Sequence, residues 1–257
     1  MRKIFYAICL FFGLSIYATA NDDFSISVEF PSNLGGEQDG RLMVMFANND
    51  KSEPRFQINP SANGQIIFGK DVRDWKPGTT ETIDNAILGY PFDSLKDMPA
   101  GDYYVQAFIN RYKDFHLSNG KTVSLPPEMG EGQKWNRKPG NFYSKPMKVT
   151  ISGNGSQNIK ITMDQEIPPI EPPKDTKYIK YVKMKSDLLS EFWGEDVVLG
   201  ANVLLPEGFD EHPDAKYPLM IFHGHFPYDF GGFSETPPDP NMKPTYSARF
   251  DWDGYNV

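Results

Sequence analysis

The chain has 257 residues, 14% of them aromatic, one cysteine, and 34 acidic against 26 basic side chains, for a net charge of −8. That acidic balance excludes the basic footprint a nucleic-acid partner requires. One cysteine excludes a disulfide framework and a cysteine-ligated metal, while the length accommodates two ordinary domains or one large one.

Residues 1–20 read as a secretory signal peptide. "MRK" is a basic start, "IFYAICLFFGLSIY" an apolar stretch, and "ATA" before Asn21 a small-residue cleavage site. The apolar stretch is too short to favour a membrane span. Cys9 sits in the middle of it, without the small residues of a lipoprotein cleavage site. Cleavage leaves an exported protein, periplasmic or extracellular, with no membrane attachment, no thiolate nucleophile and a net charge of −10.

Residues 22–164 read as an all-β sandwich. "FSISVEF" (24–30) alternates apolar and polar side chains, as a half-buried strand does. "RLMVMFAN" (41–48) is a continuous apolar run, expected of a central strand buried on both faces, and "GQIIFG" (64–69) and "YYVQAFINRY" (103–112) add further strands. "KPMKVTIS" and "QNIKITM" flank "GNG" (153–155), which predicts a closing hairpin. "MPAGDYYVQAF" (98–108) resembles the penultimate strand of immunoglobulin-like and fibronectin-like domains. The resemblance implies that Tyr103 or Tyr104 caps the corner through its hydroxyl. The loop "PPEMGEGQKWNRKPGNFY" (126–143) carries Trp135, which either offers a stacking surface to a sugar or packs back on the sandwich.

"QEIPPIEPPKD" (165–175) holds four prolines in eleven residues and reads as an extended, semi-rigid linker. Beyond it, "YIKYVKMKS" (178–186), "DVVLGANVLLP" (196–206) and "YPLMIFHG" (217–224) read as three strands with no helix among them. The segment from Phe226 to Thr245 is rich in proline and glycine and reads as irregular.

The ordered set "LLPEGF" (204–209), "KYPLMIF" (216–222) and "HG" (223–224) resembles the opening of the esterase branch of the α/β-hydrolases, which includes esterase D, enterochelin esterase and feruloyl esterase-like enzymes. The resemblance covers about seventy residues, and it makes 176–257 the N-terminal part of an α/β-hydrolase domain. It implies a central parallel strand at 217–222, apolar on both faces, whose C-terminal end faces the ligand. It also implies that His223, Gly224, His225 and Phe226 form the oxyanion-hole region, with the donor N–H at His225 or Phe226 and with His223 anchoring the loop.

A second chemistry fits the same residues. His223 and His225 lie on one side of a strand and can share a metal ion, provided further ligands come from His116, His212, Asp214, Asp229 or other carboxylates. A plain strand end is the third reading.

No Gly-x-Ser-x-Gly occurs, no histidine follows His225, and none of Ser186, Ser190, Ser234 and Ser247 sits between glycines after an apolar strand. Residues 176–257 number 82, against the roughly 200 such a domain needs. The sequence therefore reads as the front of an exported serine esterase acting on a small-molecule or polysaccharide-linked ester, or on a peptide, without a cofactor. The nucleophile and the rest of the triad are expected beyond Val257. The rival from another class is a non-catalytic carbohydrate-binding protein that stacks sugars on Trp135, Trp193 and Trp252.

Overall fold

The computed structural model describes residues 24–61, 64–153, 157–206, 208–224 and 230. The expected signal peptide, Cys9, the centre of the "GNG" turn, His225, Phe226 and Trp252 lie outside them. No helix among the described residues is long and apolar enough to cross a membrane.

The strands in chain order are β1 (Phe24–Phe30), β2 (Gln38–Ala47), β3 (Ile66–Trp75), β4 (Thr79–Ile83), β5 (Gly89–Tyr90), β6 (Gly101–Arg111), β7 (Lys113–His116) and β8 (Thr122–Leu125). They continue with β9 (Phe142–Tyr143), β10 (Met147–Ile151), β11 (Gln157–Thr162), β12 (Gln165–Glu166), β13 (Ile179–Lys185) and β14 (Val198–Leu204), with the helix α1 (Asp187–Trp193) between the last two. The described residues are thus mostly β, as expected for the first part, and no α/β-hydrolase fold is identifiable among them.

A three-stranded sheet, β11–β1–β4, faces a seven-stranded sheet in the order β12–β9–β6–β2–β3–β5, with β10 also on β6. β1 is parallel to β11 and antiparallel to β4. The main core fills the space between the two sheets. Ile26, Val28 and Phe30 of β1 meet Leu42, Val44 and Phe46 of β2 and Val105, Ala107 and Ile109 of β6 there. Burying each of the larger side chains stabilises the fold by about 1.5–3 kcal/mol. The continuous apolar run of β2 is explained by its central place: Met43 and Met45, on its other face, join Phe108 and Ile167 in a second cluster. Tyr103 makes the expected corner, donating its hydroxyl hydrogen to the Pro99 carbonyl at 3.1 Å. Tyr104 donates to Asp50 instead.

Four expectations change. The predicted hairpin around residue 154 is a crossover, since β10 pairs with β6 in one sheet and β11 with β1 in the other. Ile151 and the pair Ile159 and Ile161 thereby enter one core from opposite sides. The linker is shorter than 165–175, because Gln165 and Glu166 pair with β9 and the Ile167 N–H donates to Asn141 O at 2.9 Å. The exposed spacer begins at Pro168.

A helix also stands where none was expected. The Ser186 hydroxyl caps α1 by accepting from Leu189 N, and Gly194 ends it at φ +72°. Finally, β13 and β14 form a two-stranded antiparallel sheet, but residues 217–224 join no sheet among the described residues. Their extended apolar run lacks a neighbour to complete a ladder there.

Candidate functional site

The chain leaves β14 at Leu204, opposite Ile179 at the start of β13. A short turn over Phe209–Glu211 follows, and the ring of Tyr217 lies 5.4 Å from that of Phe209. Tyr178, Leu205, Pro206 and Phe209 line a shallow depression at this end of the hairpin. Leu219, Met220 and Ile221 then run out 79, 65 and 80% exposed, which no buried strand would be. His223 and Gly224 are exposed at the end of that run. With His225 and Phe226 outside the described residues, the described geometry holds neither oxyanion donor.

The metal reading meets the same boundary at His225. Among the described residues no group of three histidines or carboxylates is placed to hold an ion. His116 faces Thr122 Oγ1 at 2.9 Å, on the β7–β8 hairpin.

Trp135 packs back on the large sheet. Its ring meets Phe108 edge-on, with centroids 5.3 Å apart, beside the second cluster. Trp193 is engaged similarly, 5.3 Å from Phe115 and 5.5 Å from Phe192.

Two polar constellations were not anticipated. The first fastens loops 53–56 and 135–144 to the outer face of the large sheet. The Arg55 guanidinium lies between the rings of Phe56 and Tyr143, at 4.4 and 4.0 Å. Arg55 Nε donates to Glu53 Oε2 at 2.8 Å, and Nη1 to Asn136 O at 3.2 Å. Gln106, fully buried, accepts from Arg55 N at 3.1 Å and donates to Glu53 Oε2 and Ser144 O, each at 2.8 Å. The cation is held on both faces and its charge is paired, so this arrangement binds loops rather than substrate. Its members span residues 53 to 144, and no local pattern announces such a network.

The second centres on Lys138, 2% exposed, whose Nζ donates to Arg111 O at 2.7 Å. Burial pushes this ammonium down to about 8; Glu131 acts in the opposite sense, and Arg111 reinforces the fall. Burial also lowers the Arg111 guanidinium.

A third contact joins the two parts of the chain. The β7–β8 hairpin, itself a separate two-stranded sheet, reaches α1. Phe115 packs on Trp193, Lys113 pairs with Glu195, and Ser118 N donates to Phe192 O at 2.9 Å. A Cβ on Gly194 would lie 2.4 Å from His116 O, so glycine alone permits this approach while also supplying the left-handed helix end.

Comparison with known proteins identifies no relative: no family model matches the chain, and no curated protein or solved structure matches it.

Proposed function

We propose that residues 176–257 open the catalytic domain of an exported esterase-like serine hydrolase, carried behind an immunoglobulin-like sandwich. The corner bond from Tyr103 to Pro99 O supports the immunoglobulin-like reading of the first part. For the second part, the observation that carries most weight is the distribution of exposed apolar side chains. Met184, Leu188, Val198, Leu199, Leu219, Met220 and Ile221 are each between 47 and 82% exposed; the sandwich exposes Leu88, Tyr90 and Met129 to a similar degree, but buries the facing apolar side chains of β1, β2 and β6. Apolar side chains at such density are normally covered by packed protein. In a complete hydrolase domain a parallel sheet flanked by helices would cover the 217–222 run on both faces, a burial that its unbroken apolar sequence suits.

In the complete enzyme a serine oxygen attacks the carbonyl carbon of a carboxylic ester or a peptide. A histidine takes the serine proton and delivers it to the leaving alcohol or amine, and water then releases the acyl group. This reading assigns nucleophile, base and acid to no residue of the given chain, which contains no Gly-x-Ser-x-Gly. The turn after Gly224 contributes one of the N–H groups that receive the developing oxyanion. The test is to label the exported full-length gene product with a fluorophosphonate and assay it with p-nitrophenyl esters. Covalent labelling of one serine within Gly-x-Ser-x-Gly, with turnover, is the expected result; a product that carries that motif yet neither labels nor turns over ester refutes the reading.

A further inference from the structure

Neither the β7–β8 hairpin nor α1 has the means to hold itself together. The hairpin is a two-stranded sheet of its own, four residues to a strand, and Phe115 is its one buried side chain. A lone hairpin of that kind is at best marginally stable in water. α1 is seven residues long and buries none of them, and isolated helices shorter than about 12–15 residues are marginal too. Each nevertheless meets the other. The Phe115 ring lies against Trp193, and Lys113 pairs with Glu195 while its Nζ sits 5.4 Å from the Phe115 centroid. Ser118 N donates to Phe192 O, and Gly194 passes close to His116 O. Both elements are also tied on their far sides. Arg73 of β3 grips the root of the hairpin: its Nη1 donates to Ser124 Oγ at 2.8 Å and lies 3.8 Å from Asp114 Oδ1. On the other side, the Ser190 hydroxyl donates to Ser186 O at 2.7 Å and accepts from Val197 N at 2.9 Å, while Ser186 N donates to Val197 O at 2.9 Å.

We propose that the β7–β8 hairpin and α1 form one ordering unit: each is folded only while docked on the other, and through the hairpin the sandwich orders the start of the second part. The relay runs from Arg73 on β3 through the hairpin to α1, and from Ser186 and Ser190 on α1 to Val197 beside β14. The exposed spacer from Pro168 tethers the two parts but orders neither. The joining contacts differ in kind: an aromatic pair, an ion pair, a backbone hydrogen bond and a close backbone passage. One can therefore be weakened while the others persist. Coupling of this sort is reciprocal, so a change that frees the helix must free the hairpin by the same factor, and the reverse. It holds whether or not the second part opens a hydrolase.

The test is amide hydrogen exchange on the full chain, read by mass spectrometry on peptides spanning 113–125 and 186–197, with β2 as the reference for the sandwich. Ser186→Ala removes the helix cap at a residue whose bonds run to Leu189, Ser190 and Val197 and not to the hairpin. It should quicken exchange in 186–197 about five-fold, the factor such a cap carries, and quicken 113–125 equally. Lys113→Glu and Glu195→Lys should each quicken both segments about two- to five-fold, the range of an exposed ion pair, and the double exchange should restore both. β2 should keep its exchange rate in every variant. Exchange that quickens only in the segment carrying the substitution overturns the unit, and so does exchange that changes in neither. An equal rise in β2 also overturns it, since the whole chain would then be opening at once.

Discussion

Trp193, in the last turn of α1, meets Phe115 of β7 edge to face, with ring centroids 5.3 Å apart. The pair joins residues far apart in the chain, and Phe115 is only 8% exposed because the helix end covers it. Trp193→Ala should destabilise the packing of the β7–β8 hairpin on α1 by about 1–3 kcal/mol, combining lost area with the lost aromatic pair. Faster hydrogen exchange at the Ser118 amide would register this. Leu188→Ala, at a side chain 82% exposed on the same helix, should leave that exchange rate unchanged.

Gly194 separates two causes that usually travel together. Its φ of +72° favours glycine, and the approach of His116 O to 2.4 Å from a built Cβ forbids a side chain. Asparagine tolerates the left-handed conformation better than alanine does. If the close approach dominates, Gly194→Asn and Gly194→Ala should both cost about 2 kcal/mol or more in urea unfolding. A much milder Asn variant would show that the dihedral angle governs.

What the sequence revealed follows the range of the interactions concerned. β1 and β2 were legible because burial writes a two-residue period, or an unbroken apolar run, directly into the chain. The corner tyrosine was legible too, its partner being only four residues away. The pairing of β10 and β11 was not, since a short glycine turn fits a hairpin and a sheet-to-sheet crossover equally well. Helix α1 was missed although Ser186, Asp187 and Gly194 are start and stop signals; with seven residues it is too short to show a period. At the candidate site the apolar run at 217–222 reads as a strand, yet it joins no sheet among the described residues, because a local pattern names no pairing partner.

The Tyr103 hydroxyl donates to Pro99 O at 3.1 Å from a residue that is 9% exposed. Tyr103→Phe keeps the ring against Phe46, 6.0 Å away, and removes only the hydroxyl. It also strands a carbonyl at the corner. The loss should be about 0.5–1.5 kcal/mol in chemical denaturation. Tyr104→Phe, whose hydroxyl reaches the exposed Asp50, should change stability by less than about 0.5 kcal/mol.

Gln106 sits at 0% exposure between Arg55 N, Glu53 and Ser144 O. Gln106→Leu is close in volume, so the cavity term is small. What remains is one backbone N–H, one carbonyl and one carboxylate oxygen that each lose a partner. Each buried orphan costs about 1–3 kcal/mol, less where water reaches it, as it does Glu53. A total near 3 kcal/mol is expected from the shift of the urea midpoint at constant slope. Gln106→Glu should be worse still, because it sets a second carboxylate beside Glu53.

Lys138 gives the fold a pH dependence of unusual sign. Unfolded, its ammonium titrates near the ordinary 10.5; folded, burial brings it down to about 8. Between those values the unfolded chain holds more protons than the folded one, so the Lys138 contribution to stability rises with pH. Below about 8 the amine is charged in both states, and the cost of burying it is borne in full. As pH climbs from 8 toward 10.5 that cost is relieved. Lys138→Met removes the titration and the bond to Arg111 O together. Unfolding free energies of the two proteins, measured from pH 7 to 10.5, should therefore differ by a quantity that is flat below 8 and moves in favour of the wild type above it. Parallel curves across the whole range would mean that the buried amine keeps its ordinary value.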